Sequence, residues 1–212
     1  VFAYAKPDDP RDPWALSLVS DFTHASHNFE PILWNDGPAQ DLLAGAKEGV
    51  FWFERDHGGW KHRQLSDQWT GEVRDGRLPG GRRFFATIEP MHGGVSAVYT
   101  DPSNNRDLWP RRVLDDTLKD GHAVVVADFI GTGSDQIVVG WRAMTPRGAP
   151  GVRMFTPLDP EGRTWRTTEV SGVEVAVEDM KGADLNGDGR IDLILAGRAT
   201  RNLRILWNET PR

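Results

Sequence analysis

Residue types recur at fixed intervals in this chain, and that limits its possible folds more than any other feature. His27, Asp41 and Lys47 each lie 95 residues before His122, Gln136 and Arg142, which each lie 56 residues before Glu178, Asp192 and Arg198. Self-similarity with a period near 50 residues marks a repeat architecture in which each repeat is one supersecondary unit. Equivalent positions of successive repeats then converge, so a recurring polar residue becomes part of a ring around the repeat axis.

Within each repeat the apolar pattern reads as four short antiparallel strands. First strands fall at 27–33, 71–78, 121–128 and 173–184, second strands at 41–47, 82–89, 136–142 and 192–198, and third strands at 49–54, 94–100, 151–156 and 202–208. Fourth strands open on Trp60, Trp109 and Trp165. The N-terminus adds VFAYA (1–5), which resembles a third strand, and a fourth strand that opens on Trp14. With 23 Gly and 14 Pro to punctuate the strands, no helix is expected; Leu114–Lys119 reads as a loop with at most one helical turn.

The expected fold class is therefore all-β: a β-propeller of four-stranded antiparallel blades. It is read as one domain over 1–212, with an outer half-blade at 1–21 and repeats at 24–66, 70–114, 120–168 and 173–208. There are five third strands but only four of each other kind. The chain is thus expected to enter halfway through a blade and to be part of a larger propeller, commonly of about six to eight blades. The Trp at the head of each fourth strand is assigned to packing between blades.

A net charge of −6 argues against an extended phosphate-binding surface, so no nucleic-acid partner is expected. Cysteine is absent, so disulfides and thiolate chemistry are excluded as well. No apolar run approaches the ~18 residues of a membrane span. Val1 opens directly into a strand-like segment, so the chain is expected to be processed or part of a longer one. The compartment stays open, with an extracellular or periplasmic setting preferred for a soluble chain.

ADLNGDGRID (183–192) is the strongest local motif. Asp184, Asn186 and Asp188 alternate, Arg190 offers a carbonyl, and Asp192 supplies a further carboxylate. A hard cation such as Ca²⁺ takes about six to eight oxygens, and a tight D-x-N-x-D-G loop gathers them from one short segment. The loop lacks the bidentate Glu of an EF-hand and is flanked by strands, so a structural Ca²⁺ in a β-β turn is expected. The copies at 128–136 and 33–41 have lost carboxylates; in the second only Asn35 and Asp41 remain.

At the other end of the repeats, the start of each first strand and the end of each second strand coincide, because the two run antiparallel. The repeat offsets make His27, Glu72, His122 and Glu178 equivalent, and likewise Lys47, Glu89, Arg142 and Arg198; His92 joins the same rim. Imidazole and carboxylate together hold a divalent metal, Mg²⁺ or Zn²⁺, or serve as acid and base. Arginine and lysine grip a substrate oxygen or an oxyanion. The candidate catalytic residues are His92, His122, Glu72, Glu178, Arg142 and Arg198, with His27, Lys47 and Glu89 for substrate binding.

ADLNGDGRIDLILAGR resembles the FG-GAP or VCBS repeat of integrin-type β-propellers. The longer runs GEVRDGRLPGGRRFFATIEPMHGG, DGHAVVVADFIGTGSDQIVVGWRAM and DLNGDGRIDLILAGRATRNLRILWNE resemble the propeller domain of the aldos-2-ulose dehydratase/isomerase family, over about residues 24–210. That resemblance implies a propeller of about seven blades followed by cupin domains in a longer chain. It also implies metal-assisted loss of water from a ketosugar such as 1,5-anhydrofructose. This chain has too few repeats for seven blades and no cupin-like segment. Two functions remain open: a sugar dehydratase (a carbon-oxygen lyase), or a non-catalytic, calcium-stabilised module that binds a glycan or a protein on the same face. Convergence of His92, His122 and a carboxylate on one point would mark the first, and exposed Trp and Tyr around a shallow groove the second.

Overall fold

The computed structural model of the chain describes residues 1–34, 40–56, 59–104 and 107–211; Asn35 lies outside them. Short runs rich in Val, Ile, Leu and Phe, broken by Gly, Pro and Asp, fold into seventeen strands with no helix among the described residues. β1 (Phe2–Ala5) and β2 (Ala15–Leu18) form a hairpin. β3 (Phe29–Ile32), β4 (Asp41–Ala46), β5 (Gly49–Asp56) and β6 (Gly59–Gln64) form the first four-stranded sheet. β7 (Glu72–Arg77), β8 (Arg83–Glu89), β9 (Val95–Thr100) and β10 (Arg111–Asp115) form the second. β11 (Gly121–Ala127), β12 (Gln136–Trp141), β13 (Gly151–Pro157) and β14 (Trp165–Ser171) form the third. β15 (Val177–Ala183), β16 (Asp192–Gly197) and β17 (Asn202–Leu206) form a three-stranded sheet. Every pairing is antiparallel between strands consecutive in sequence.

Each strand read from the sequence is present, with two adjustments. Residues 173–176 are a turn and coil rather than strand, so β15 begins at Val177. The segment at 114–119 forms no helical turn: Leu114 and Asp115 end β10 and the rest is irregular.

The sheets pack face to face in chain order. Phe51, Phe53 and Val19 fill the space between the hairpin and the first sheet. Leu43, Val50, Phe85, Tyr99 and Trp109 fill the next layer, Phe84, Ile88, Val124, Ile137 and Phe155 the third, and Val138, Val177, Met180 and Leu195 the last. β8 and β12 are covered on both faces, which explains their continuous apolar runs (FFATI, IVVG) in place of alternation. Truncating a wholly buried ring such as Phe84 to Ala costs on the order of 3–5 kcal/mol. Trp109 is buried against Trp34 and Phe85, and Trp165 packs edge-on to Phe84, so these strand-heading tryptophans do pack between sheets. Trp14 is the exception at 45% exposure.

First strands of successive sheets, β3, β7, β11 and β15, lie side by side. Their N-terminal ends therefore gather at one end of the molecule. No helix of the described residues is long and apolar enough to cross a membrane.

Candidate functional site

Three histidines from three sheets meet at that end. His27 precedes β3, His92 follows β8, and His122 is the second residue of β11. Their nearest nitrogens all lie within 4.8 Å of one another. The Nε2 atoms of His27 and His92 are 3.0 Å apart, and the His92 and His122 rings stack with centroids at 4.4 Å.

The glycines of E-P-M-H-G-G and G-H explain the convergence. A Cβ on Gly93 would come within 2.2 Å of the Glu89 carbonyl oxygen, so only glycine lets the chain reverse there. The reversal leaves His92 in the left-handed region (φ 56), and the Gly121 N–H donates to the Gly93 carbonyl at 2.9 Å. That bond sets the His92 turn against the start of β11. His122 then sits in a register shift, between the Gly121–Trp141 and Ala123–Gly140 pairs. Glu178 sits in the matching shift of β15, between Val177–Gly197 and Asp179–Ala196. An extra residue in one strand re-aims a side chain that regular alternation would send elsewhere. On the first sheet, Gly45 N–H donates to Asn28 O at 3.0 Å and holds the His27 segment beside β4.

The partners of two rings fix their tautomers. His122 Nδ1 lies 2.6 Å from the Glu178 backbone carbonyl, which can only accept, so Nδ1 carries the proton and Nε2 the lone pair. His27 Nδ1 lies 3.0 Å from Glu72 Oε1, an imidazole–carboxylate pair that directs its Nε2 lone pair toward His92. Glu72 is buried and also accepts from Asn28 Nδ2 at 2.5 Å. Burial raises its carboxyl pKa, against the pull of Arg74 and His27. Burial, and then the charges of His122, Arg142 and His27, lowers His92 to about 4, so its ring is neutral at pH 7. His122 is lowered as well, by burial and then Arg142.

Beside the histidines opens a cavity of ≈ 650 Å³, with His92, Arg142, Glu178 and Arg198 in its wall. Glu178 takes Arg142 at 2.5 Å and Arg198 at 3.3 Å. Burial alone would raise its carboxyl, but Arg142, His122 and Arg198 together hold it below the usual value.

Seven of the nine candidate mouth residues thus share one site: His27, His92, His122, Glu72, Glu178, Arg142 and Arg198. Glu89 does not join them. It is buried and shares a strand face with Thr87, whose hydroxyl donates to it at 2.8 Å. Tyr99 OH at 2.7 Å and Arg111 at 2.7 and 3.0 Å complete its shell, so it ties β8 to β9 and β10. Lys47 is exposed beyond the end of β4 and does not line the cavity. Asn28, Asp120, Arg147 and Arg201 belong to the site region and were not read from the sequence. The last three sit in turns outside the repeat offsets, and only Asn28, next to His27, carried a positional signal.

The imidazole set suits zinc, whose ligand nitrogens at about 2.0–2.1 Å from the ion sit roughly 3.4 Å apart in a tetrahedron. The separations among the three rings bracket that spacing. The acidic loop at the far end of β15 differs. Asp184 accepts from the N–H groups of Gly187 (2.8 Å), Asp188 (3.2 Å) and Gly189 (2.8 Å). Asp188 accepts from Arg190 N–H at 2.9 Å, and buried Asp192 accepts from Leu185 and Asn208 N–H at 3.0 and 2.8 Å. The oxygen donors match Ca²⁺ by type, and the carboxylates keep lone pairs beyond those the turn's N–H groups use. In the copy, Asp128 likewise accepts from the N–H groups of Thr132 and Gly133, at 2.9 and 2.7 Å.

No protein-family model matches this chain, and no curated protein sequence matches it.

Proposed function

We propose that the sheets are blades of a β-propeller and that the clustered histidines form a divalent-metal centre for β-elimination on a sugar, a ketosugar such as 1,5-anhydrofructose being the type substrate. Two features support blades: the side-by-side first strands, and a β1–β2 sheet built of third- and fourth-type strands.

The observation that carries the metal reading is the fixed tautomer of two rings. His27 and His122 each commit Nδ1–H to an acceptor, which leaves both Nε2 atoms with lone pairs, that of His27 at 3.0 Å from His92 Nε2 and that of His122 on a ring stacked against His92. A bound cation would polarise a substrate carbonyl and acidify the neighbouring C–H. Arg142 and Arg198 hold the developing oxyanion from the cavity wall. Glu178, kept ionised by those arginines, is the group at the wall that takes the C–H proton and passes it to the β-hydroxyl, whose C–O bond breaks so that it leaves as water. The exposed aromatics Phe2, Tyr4, Trp14 and Trp207 do not line the cavity, which favours the lyase over a glycan-binding face.

The test is a zinc titration of metal-free protein, followed by an assay of metal-replete protein with 1,5-anhydrofructose that follows enone absorbance. His122→Ala should abolish zinc binding and lower the rate by about 100-fold or more. Unchanged zinc binding and rate in that variant would overturn the reading.

A further inference from the structure

The cavity wall carries more positive charge than the proposed chemistry uses. Four guanidinium groups line it, from Arg142, Arg147, Arg198 and Arg201, against two carboxylates, Asp120 and Glu178. Glu178 is occupied by Arg142 and Arg198, and Asp120 takes Arg147 at 3.1 Å. The Arg201 side chain makes no hydrogen bond or ion pair among the described residues. Two positive charges thus stand uncompensated on one wall of a chain whose net charge is −6.

The backbone marks the same wall. Five non-glycine residues have positive φ among those described: Ala25, His92, Ser103, Asp120 and Arg201. Three of them, His92 (φ 56), Asp120 (φ 56) and Arg201 (φ 53), line this one cavity. Such conformations cost on the order of 1 kcal/mol or more and gather where a side chain must be aimed. The cavity, ≈ 650 Å³, falls in the usual range for small-molecule pockets, roughly 300–1,000 Å³. Guanidinium forks match the planar oxygens of carboxylates and phosphates, and Arg147 and Arg198, 75% and 78% exposed, have room to swing onto a ligand.

We infer that the cavity selects a sugar that carries an anionic group, a carboxylate or a phosphate, held by Arg201 and Arg147 while the sugar's carbonyl end faces the histidines. The orientation rests on the metal reading; the anion preference rests on the arginines alone.

Calorimetric titration of metal-free and zinc-loaded protein with glucose, glucuronate and glucose 6-phosphate tests the inference without turnover. At least one anionic sugar should bind about tenfold tighter than glucose, with the preference weaker at high salt. Glucuronate ahead of glucose 6-phosphate assigns a carboxylate, and the reverse assigns a phosphate. Arg201→Gln and Arg147→Gln, both at exposed positions, should each cut the preference by about fivefold or more and leave glucose binding unchanged. Equal binding of all three sugars, or a preference that survives both substitutions, would overturn the inference. If the preference holds but zinc does not bind, the metal reading falls and the anion site stands. If zinc binds through His122 and the preference is missing, the reverse holds.

Discussion

The two ends of β15 present two candidate metal sites, and they contrast in how their donors are spent. At the N-terminal end, imidazole nitrogens of three histidines converge while the Nδ1 atoms of His27 and His122 are anchored elsewhere. At the C-terminal end, the loop from Asp184 to Asp192 has the residue spacing of a cation site, yet its carboxylates accept the loop's own N–H groups. A spacing motif reports which donors are close in sequence. Whether their lone pairs remain available depends on the backbone around them, and a Gly-rich turn supplies N–H donors as readily as a metal supplies charge.

The largest effect should come from His27→Ala or His122→Ala. Either should remove measurable zinc binding in a competition assay with a chromophoric chelator, while Asp188→Ala leaves it intact. Equal loss in Asp188→Ala would show that the loop, not the histidine cluster, takes the ion. Next comes Asp192→Ala. It strands the N–H groups of Leu185 and Asn208 beside a buried position and should cost about 2–3 kcal/mol in urea unfolding. A loss that added calcium in the wild type does not modify would mark Asp192 as a tie for the backbone.

Glu72→Gln sharpens the contrast from the other side. It keeps the shape but weakens the acceptor behind His27, and zinc affinity should fall by about 10–100-fold with little change in fold. An unchanged affinity would mean that the Glu72 contact does not orient the ring. The smallest effect should be that of calcium on melting temperature. The loop carboxylates keep lone pairs beyond those spent on N–H groups, so calcium should raise it modestly, EDTA should reverse the rise, and Asp188→Ala should remove the response. No response to calcium or EDTA in wild type would remove the loop as a metal site and complete the contrast.

Strand positions were legible in the sequence because each was a short apolar run between Gly, Pro and Asp punctuation, and chain-consecutive pairing needs no long-range information. The mouth was legible to the extent that repeat offsets carry register. His27, His122, Glu178, Arg142 and Arg198 obeyed them, aided by two matching β-bulges. Lys47 obeyed them too and yet does not line the cavity, and Glu89, aligned across the shorter turn of its repeat, went elsewhere because Tyr99 and Arg111 on neighbouring strands offered it a buried shell that no offset encodes. Arg147 and Arg201 were invisible for the opposite reason. They lie in turns, whose lengths vary between repeats, and only the fold brings them to the cavity.

Because each sheet packs on its neighbours in chain order, stability should add up layer by layer, and the hairpin at the end can open while the middle stays folded. The histidine cluster cuts across that linear logic, since His27 precedes the first strand of one sheet, His92 follows the second strand of the next and His122 lies on the first strand of a third. An ion seated there would act as a rivet across the layers, and opening any one of those three sheets would forfeit its binding free energy. Hydrogen exchange would register this as one cooperative opening of the three sheets in place of graded fraying from the end.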